Sequence, residues 1–427
     1  MDKSAELNSK FLRPARIVTL GCRLNQADSA LLTDRLQKKG YYVQGPEDHE
    51  APELVIINSC AVTAAAAAKS RQAARRLQSL YPASQIIFTG CAAEVDSLLI
   101  DKEPWLKLGN VQKRQLTELL DHRSGNVPLI RSREITSENF FEHAHGEFPH
   151  RTRAFIKIQE GCDNFCTYCI VPYTRGPSRS RNFDEVIADC RCAIEAGAPE
   201  IVITGVNTCN YQDSGRNICD VIETLCKDIP GSWRLRLSST EPALDNLSLL
   251  ETMARYPERV CRFLHLALQH GADSVLQRMN RHYSTAEFAE FVKRARQLIP
   301  DIHLGSDVIV GFPGESDLEF EQSFDFIRQM QFANLHVFSY SPRKGTPAAV
   351  MPEQVAEPVK KYRHQRLEAL GESMKKSFAD SLHGKKLPVI FETIDRQGIA
   401  HGWSDNYVAV SAPAKQVETG QILLIQY

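Results

Sequence analysis

Three cysteines fall within eight residues in Gly161-Cys-Asp-Asn-Phe-Cys-Thr-Tyr-Cys169, a CxxxCxxC spacing. Thiolates are the usual ligands of iron–sulfur clusters, and three so close together can wrap one cluster. Cys162, Cys166 and Cys169 offer three ligands to four irons. One iron then keeps an open position, as catalytic metals do, and can chelate a small molecule. The competing reading is a zinc site or three incidental cysteines. Zinc asks for a fourth ligand, and no Cys or His lies nearby at a zinc-like spacing; Cys190 and Cys192 fall in an expected helix.

Cys22, Cys60 and Cys91 are far apart in sequence, yet each follows a short apolar run directly, behind a Gly or Ser. The runs are Arg16-Ile-Val-Thr-Leu-Gly, Leu54-Val-Ile-Ile-Asn-Ser and Gln85-Ile-Ile-Phe-Thr-Gly. They read as strands of a buried parallel sheet. All three cysteines would then sit at one carboxyl edge, where ligands bind. A single strand-end Cys is read as a small buried hydrophobe. Three in register are read as ligands of a second cluster. Cys190, Cys192, Cys209, Cys219, Cys226 and Cys261 have no ligand-like spacing and read as packing residues, with Cys209 singled out because it follows a strand.

The elements that must hold these residues divide the chain. Helices are expected at residues 27–39 and 64–80, stopped by Gly40 and before Pro82, which with the three strands makes an α/β unit. Its boundary is expected in the polar stretch near residues 125–150. Strands at residues 154–159, 200–205, 233–238, 262–268, 304–310 and 335–340 alternate with helices such as 183–196, 285–298 and 317–330. Six βα units in series imply a full or partial barrel, whose active-site groups lie at the carboxyl ends of strands, where the CxxxCxxC falls. A basic helix at residues 359–382 follows. Short strands at 387–392, 407–411 and 421–426, with turns at 395–398 and 404–406, imply a small β-barrel. The fold class is therefore α/β, with domains at 14–125, 148–378 and 380–427.

Bulk properties exclude several classes. The chain has 427 residues, 43% apolar and 24% charged, with a formal net charge of −1, so it is not a nucleic-acid-binding polycation overall. No uninterrupted apolar stretch is long enough for a membrane span, and the N-terminus has no apolar signal segment. Twelve cysteines in so long a chain do not make a secreted disulfide scaffold. A cytoplasmic protein is expected.

The CxxxCxxC with Tyr168 before its third Cys resembles the signature of radical-SAM enzymes. The strand-end cysteines resemble those of the methylthiotransferases, a radical-SAM subfamily with an N-terminal second-cluster domain. The matching segments are Thr19-Leu-Gly-Cys-Arg-Leu-Asn-Gln26, Asn58-Ser-Cys-Ala-Val-Thr63, Lys69-Ser-Arg-Gln72, Thr89-Gly-Cys91, Lys157-Ile-Gln-Glu-Gly-Cys162, Ile170-Val-Pro-Tyr-Thr-Arg-Gly176, Arg236-Leu-Ser-Ser239 and Asp307-Val-Ile-Val-Gly-Phe-Pro-Gly-Glu315. Gly402-Trp-Ser-Asp-Asn-Tyr407 lies in a barrel that resembles a TRAM domain, an RNA-binding module. Gly21-Cys-Arg-Leu-Asn-Gln, Lys-Ser-Arg-Gln, Leu335-His-Val-Phe-Ser-Tyr-Ser-Pro342 and Gly345-Thr-Pro-Ala are most similar to the MtaB type, which acts on threonylcarbamoyl-adenosine beside the tRNA anticodon. The alanine run 64–68, Gln269-His-Gly in place of the commoner Gln-Ser-Gly, and Thr204-Gly-Val-Asn-Thr-Cys-Asn depart from the pattern.

The resemblance implies two [4Fe-4S] clusters and S-adenosylmethionine (SAM). The open iron of the first cluster would bind SAM, and one-electron reduction would give a 5′-deoxyadenosyl radical that takes hydrogen from C2 of the adenine. The second cluster would carry or deliver sulfur, and a second SAM the methyl group. No side chain is assigned as the catalyst, since the cofactors do the chemistry. SAM contacts are expected from Tyr168, Thr204, Gly205, Asn207, Ser238, Ser239, Val310 and Pro313. An ordinary strand-ending turn competes for the last two. Arg175, Arg179, Arg181, Lys360 and Arg363, with Trp403 and Tyr407, are expected to meet RNA, although single charge runs are usually solvated faces. The partners implied are a tRNA anticodon stem-loop, a low-potential electron donor and a sulfur source. Two other readings stand beside this one. The same chemistry would act on isopentenyl-adenosine in tRNA or on a ribosomal-protein aspartate, or the chain is a non-enzymatic RNA-binding or redox-sensing iron–sulfur protein.

Overall fold

The computed structural model describes residues 12–45, 47–95, 102–121, 152–241 and 247–427; the boundary expected near 125–150, with residues 125 and 148, lies outside them. The first unit is β1 (Arg13–Thr19), α1 (Arg23–Lys38), β2 (Tyr41–Val43), β3 (Leu54–Ser59), α2 (Ala64–Leu80), β4 (Gln85–Gly90), α3 (Cys91–Val95) and β5 (Leu106–Leu108). Its strands are parallel in the order β2-β1-β3-β4-β5. Apolar side chains on both faces explain the unbroken Val/Ile runs. Val55, Ile57 and Phe88 pack on one side with Ala67 and Ala74 of α2, and Ile56 and Ile87 on the other with Leu32 and Leu36 of α1. Register aligns Thr19 with Asn58 and Asn58 with Thr89, so the strands end together. The helix expected from residue 27 starts four residues sooner, with Cys22 as its N-cap. The three-residue strands β2 and β5 are too short to show periodicity.

The second unit holds β6 (Arg153–Lys157), α4 (Val171–Arg175), α5 (Phe183–Glu195), β7 (Glu200–Thr204), α6 (Ile218–Asp228), β8 (Arg234–Leu237), α7 (Leu247–Arg255), β9 (Phe263–Gln269), α8 (Asp273–Arg278), α9 (Thr285–Leu298), β10 (His303–Val310), α10 (Asp317–Met330), β11 (Asn334–Ser339) and α11 (Glu357–Asp380). The strands form two parallel groups, β8-β7-β6 and β9-β10-β11, the latter extended by Ser239–Thr240. A parallel bridge, Leu235 to Val260, joins their surroundings. The partial barrel is the outcome, open between β6 and β11. Its outer core packs Ile201, Leu235, Leu264 and Leu304 beneath Phe288 and Phe291. Capping boxes Ser284/Glu287 and Ser316/Glu319 start α9 and α10 at the residues the periodicity predicts.

The third unit is an antiparallel curled sheet, β12 (Lys386–Ile394), β13 (Ile399–Ser404), β14 (Ala409–Pro413) and β15 (Ile422–Gln426), in the order β14-β13-β12-β15. β13 was not expected. Its sequence, Ile-Ala-His-Gly-Trp-Ser, is poor in strand formers, and Gly402 is needed because a Cβ there would stand 2.3 Å from the Ile390 carbonyl oxygen. Tyr407, expected to open a strand, instead has φ 58° in the turn before β14. No helix among the described residues is long and apolar enough to cross a membrane.

Candidate cluster sites

After β6 the chain pairs Gln159–Glu160 with Arg179–Ser180, which closes residues 161–178 into a loop. Gly161 fixes where the loop begins. Its φ is 75°, and a Cβ there would stand 1.9 Å from the Pro177 carbonyl oxygen. The Cys162 amide donates to the Gly176 carbonyl (3.2 Å) and the Cys169 amide to the Cys166 carbonyl (2.9 Å). Thr167 anchors the loop to the end of α8, its amide donating to Met279 and its hydroxyl to Arg278. The three thiols thus share one loop and sense one another. Burial first, then the Cys166 thiol, pushes Cys169 up to about 12; burial and the same neighbour raise Cys162.

The second trio forms as the common strand ends imply. Gly21, at φ 102°, lets the turn before α1 close on Cys60, whose Sγ would be 2.8 Å from a Cβ at residue 21. Asn25 ties the edge together through Nδ2 to the Leu20 carbonyl (2.7 Å) and the Ser59 carbonyl (3.0 Å). Burial first, then Cys91 and Cys22, pushes Cys60 up to about 11. The donor chemistry of each trio fits an iron–sulfur cluster. Among the described residues, neither trio brings its sulfurs within 4.8 Å of one another.

The two trios flank α4. Ile170 and Tyr173 pack with Cys91 and Ala92. Arg175, at the end of α4, donates to Glu160 Oε1 (2.6 Å), Asn25 Oδ1 (2.6 Å) and Asp28 Oδ2 (3.1 Å). Its guanidinium also lies in the field of Cys91 and Cys22. This places Arg175 inside the molecule, 2% exposed, rather than on RNA. The same correction applies to four other expected RNA contacts. Arg179 is buried and donates to the Arg175 carbonyl, and Arg181 pairs with Asp189 at 2.5 Å. Lys360 donates to the Tyr340 carbonyl, and Arg363 binds Glu315 and Asp317. Buried, paired cations have no reach to a phosphate backbone. Tyr407 stacks on Trp403 at 4.7 Å and also meets Phe263 and Arg236, so it fills the junction between the third unit and the barrel floor. Trp403 is half-buried, with one face against Tyr407.

Several of the residues expected near SAM lie against the first loop. Gln159 Oε1 accepts from the Val206 amide (2.9 Å) and the Asn207 amide (3.0 Å), while its Nε2 donates to the Gly161 carbonyl (2.8 Å). A Cβ on Gly205 would stand 3.0 Å from the same Oε1. Thr204 is buried behind this turn. Ser238 Oγ is buried with no hydrogen-bond partner, an orphan a ligand would satisfy. Ser239 lies in the two-residue strand beside β9; its side chain is outside the described residues. Tyr168 packs against Ile309 and Phe312. Val310 and Pro313 are buried, in a turn whose Phe312 amide donates to Glu315 (3.0 Å).

Two residues that sequence reasoning missed hold this region. Glu241 accepts from Asn164 Nδ2 (2.6 Å), Asn207 Nδ2 (2.8 Å) and Arg281 (2.7 Å). Arg281 also reaches Cys166 Sγ at 3.2 Å. Glu241 follows the strand end Ser238-Ser-Thr, a position that signals a site residue in a barrel. Arg281 carries no such signal.

Comparisons with known proteins agree with this geometry. Residues 156–327 match the family model "Radical SAM superfamily", and residues 15–108 match "Uncharacterized protein family UPF0004". The threonylcarbamoyladenosine tRNA methylthiotransferase MtaB of Bacillus subtilis is 34% identical over 96% of this chain and 92% of its own. The protein of the same name from Chlamydia pneumoniae is 37% identical over 96% and 93%. A tRNA-2-methylthio-N(6)-dimethylallyladenosine synthase of Cereibacter sphaeroides is 34% identical over 96% and 94%. Among solved structures, the radical S-adenosylmethionine methyltransferase TsrM of Kitasatospora setae shares the fold, with a TM-score of 0.61 at 14% identity over 80% of this chain and 75% of that one.

Proposed function

The chain belongs to the radical-SAM methylthiotransferase family, whose enzymes use [4Fe-4S] clusters and SAM, and from that premise we propose that it inserts a methylthio group at C2 of threonylcarbamoyl-adenosine beside a tRNA anticodon. The observation that carries the proposal is the pair of thiol trios on either side of α4. Cys162, Cys166 and Cys169 would hold the SAM-binding cluster, and Cys22, Cys60 and Cys91 the second. When bound, these cofactors supply one-electron cleavage of SAM and a source of sulfur, chemistry beyond any side-chain base.

The protein's own contribution is positioning. Gln159 holds the 204–207 turn against the cluster loop. Glu241 gathers Asn164, Asn207 and Arg281 from three separate segments, which ties the cluster loop to the 204–207 turn. Arg175 keeps positive charge beside the second trio, in the field of Cys91 and Cys22. Ser238 offers the unpaired hydroxyl. In this reading residues 14–125 form the second-cluster domain, 148–378 the radical-SAM core and 380–427 a TRAM-like RNA-binding domain. The enzyme works in the cytoplasm with a low-potential electron donor and a sulfur source.

The Cereibacter relative is as similar as the Bacillus one and is named for dimethylallyladenosine, which favours that nucleoside as the second reading. Mass spectrometry of tRNA nucleosides from a deletion strain separates them. Loss of 2-methylthio-threonylcarbamoyl-adenosine is expected. Its persistence, with loss of the methylthio-dimethylallyl nucleoside instead, would transfer the assignment.

A further inference from the structure

The lumen of the open barrel carries a side-chain cluster that neither cysteine site uses. Along β9, β10 and β11, Leu264, Leu266, Leu304, Val308, Leu335 and Val337 pack into the outer core. Side chains alternate along a strand, so His265, Asp307 and His336 project from the opposite, inner face. Register sets Asp307 beside His336 and His265 beside Gly305. Asp307 Oδ1 lies 3.0 Å from His265 Nε2 and 3.2 Å from His336 Nδ1. The three ligand atoms all lie within 4.8 Å of one another.

Three surrounding features suit an ion. Gly305 leaves the His265 ring its place, since a Cβ there would stand 3.0 Å from His265 Nδ1. The far nitrogen of His336 lies 2.8 Å from the Asn334 side-chain amide, whose oxygen, turned toward the ring, would accept the Nε2–H of an imidazole ligating through Nδ1 and so orient it. Exposure rises from 12% at the His265 side chain through 29% at Asp307 to 53% at His336, which gives a route in from the open edge of the barrel. Asp307 and His336 both belong to segments that the sequence singled out without giving them a chemical task.

We propose that His265, Asp307 and His336 bind a divalent first-row transition ion, separately from the two cysteine sites. Two imidazoles and one carboxylate suit manganese, iron or zinc. Three protein ligands leave coordination positions open. These positions face the lumen, where an anionic oxygen of a bound substrate can complete the shell. That use of the ion rests on the substrate reading above; the ion site itself does not.

The test is an anaerobic titration of the cluster-loaded enzyme with manganese(II), with the free ion followed by electron paramagnetic resonance. One saturable manganese per chain, displaced by zinc, is expected. His336→Ala and Asp307→Asn should abolish it with iron content unchanged. Asn334→Ala, which keeps all three ligands, should weaken binding by about tenfold or more. His336 is half-exposed on an edge strand, so its removal leaves no core cavity, and circular dichroism checks the fold. Absence of a saturable site in the wild type, or unchanged affinity in both ligand variants, overturns the proposal. Either result leaves the iron content and the nucleoside assay untouched, so it is distinct from failure of the functional reading.

Discussion

Gly161→Ala should disable radical generation without unfolding the protein. A Cβ at residue 161 would lie 1.9 Å from the Pro177 carbonyl oxygen, 2.5 Å from its carbon and 2.6 Å from the Gly176 carbonyl oxygen. All three are backbone atoms, so no rotamer change relieves the overlap. An ordinary C···O contact is about 3.3 Å, so the two strands of the loop must part by more than 1 Å. The φ of 75° adds roughly 1–2 kcal/mol of backbone strain for an L-residue. The displaced neighbours are Cys162 and the Gly176 carbonyl that its amide meets. A shift of about 1 Å at a reacting centre costs on the order of 100-fold in rate. Gly215→Ala is the control. Its φ is 81°, but nothing lies within 4 Å of the added Cβ, so it carries the strain without the collision. The assay is 5′-deoxyadenosine formation from SAM by the reduced, reconstituted enzyme, normalised to iron content. Gly161→Ala should lose about 100-fold, and Gly215→Ala should stay within a factor of a few. Equal activity in the two variants would refute the reasoning.

Burial holds His270 at about 3, and burial with the Arg236 charge holds His303 there too, against an ordinary 6.5. Both are neutral in the fold while the unfolded chain protonates, so their contribution is intact above pH 6.5 and is lost as pH falls toward 3. By about pH 5.5 each costs about 1.4 kcal/mol. His270→Asn keeps an acceptor for the Ala272 amide and should therefore lose less melting temperature than wild type between neutral pH and about pH 5.5; parallel losses would contradict this. Arg175→Gln should still fold, because Asp28 keeps Lys113 and Lys157 at 2.8 Å each. Loss of its cation should lower the reduction potential of the cluster assigned to Cys22, Cys60 and Cys91; an unchanged potentiometric midpoint would argue against the placement. Glu200 is fully buried among Arg153, Arg234 and Arg236, so Glu200→Gln should destabilise the junction with the third unit by about 3–5 kcal/mol, read as a lower melting temperature.

Much of the architecture is legible in local pattern. Phe183, Thr285 and Asp317 begin helices where periodicity and caps place them, and the six barrel strands follow their apolar runs to within two residues at each end. The common strand ends also follow from sequence, since Ser59-Cys and Gly90-Cys interrupt runs that must pair in parallel. Burial of charge is what sequence conceals. Arg175, Arg179 and Arg181 look like a basic run beside a site, yet their partners Glu160, Asp28 and Asp189 come from distant segments or from another turn of the chain. Lys360 and Arg363 belong to a helix whose polar composition reads as solvated, but they face the turn after β10. Tyr407 looks like a base-stacking platform until Phe263 and Arg236 are seen to cover it. Arg281 was missed for the same reason, since its task is set by three-dimensional convergence on Glu241 and Cys166; Glu241 had only its strand-end position to mark it, and its partners Asn164 and Asn207 come from other segments.

The most direct test of the central claim is iron and acid-labile sulfide per chain in anaerobically reconstituted wild type, Cys22→Ala and Cys162→Ala. Two four-iron clusters on separate trios predict about eight irons in the wild type and about four in each variant. Only the Cys162 variant should lose 5′-deoxyadenosine formation. Full iron in either variant, or zinc in place of iron at either trio, would contradict the account.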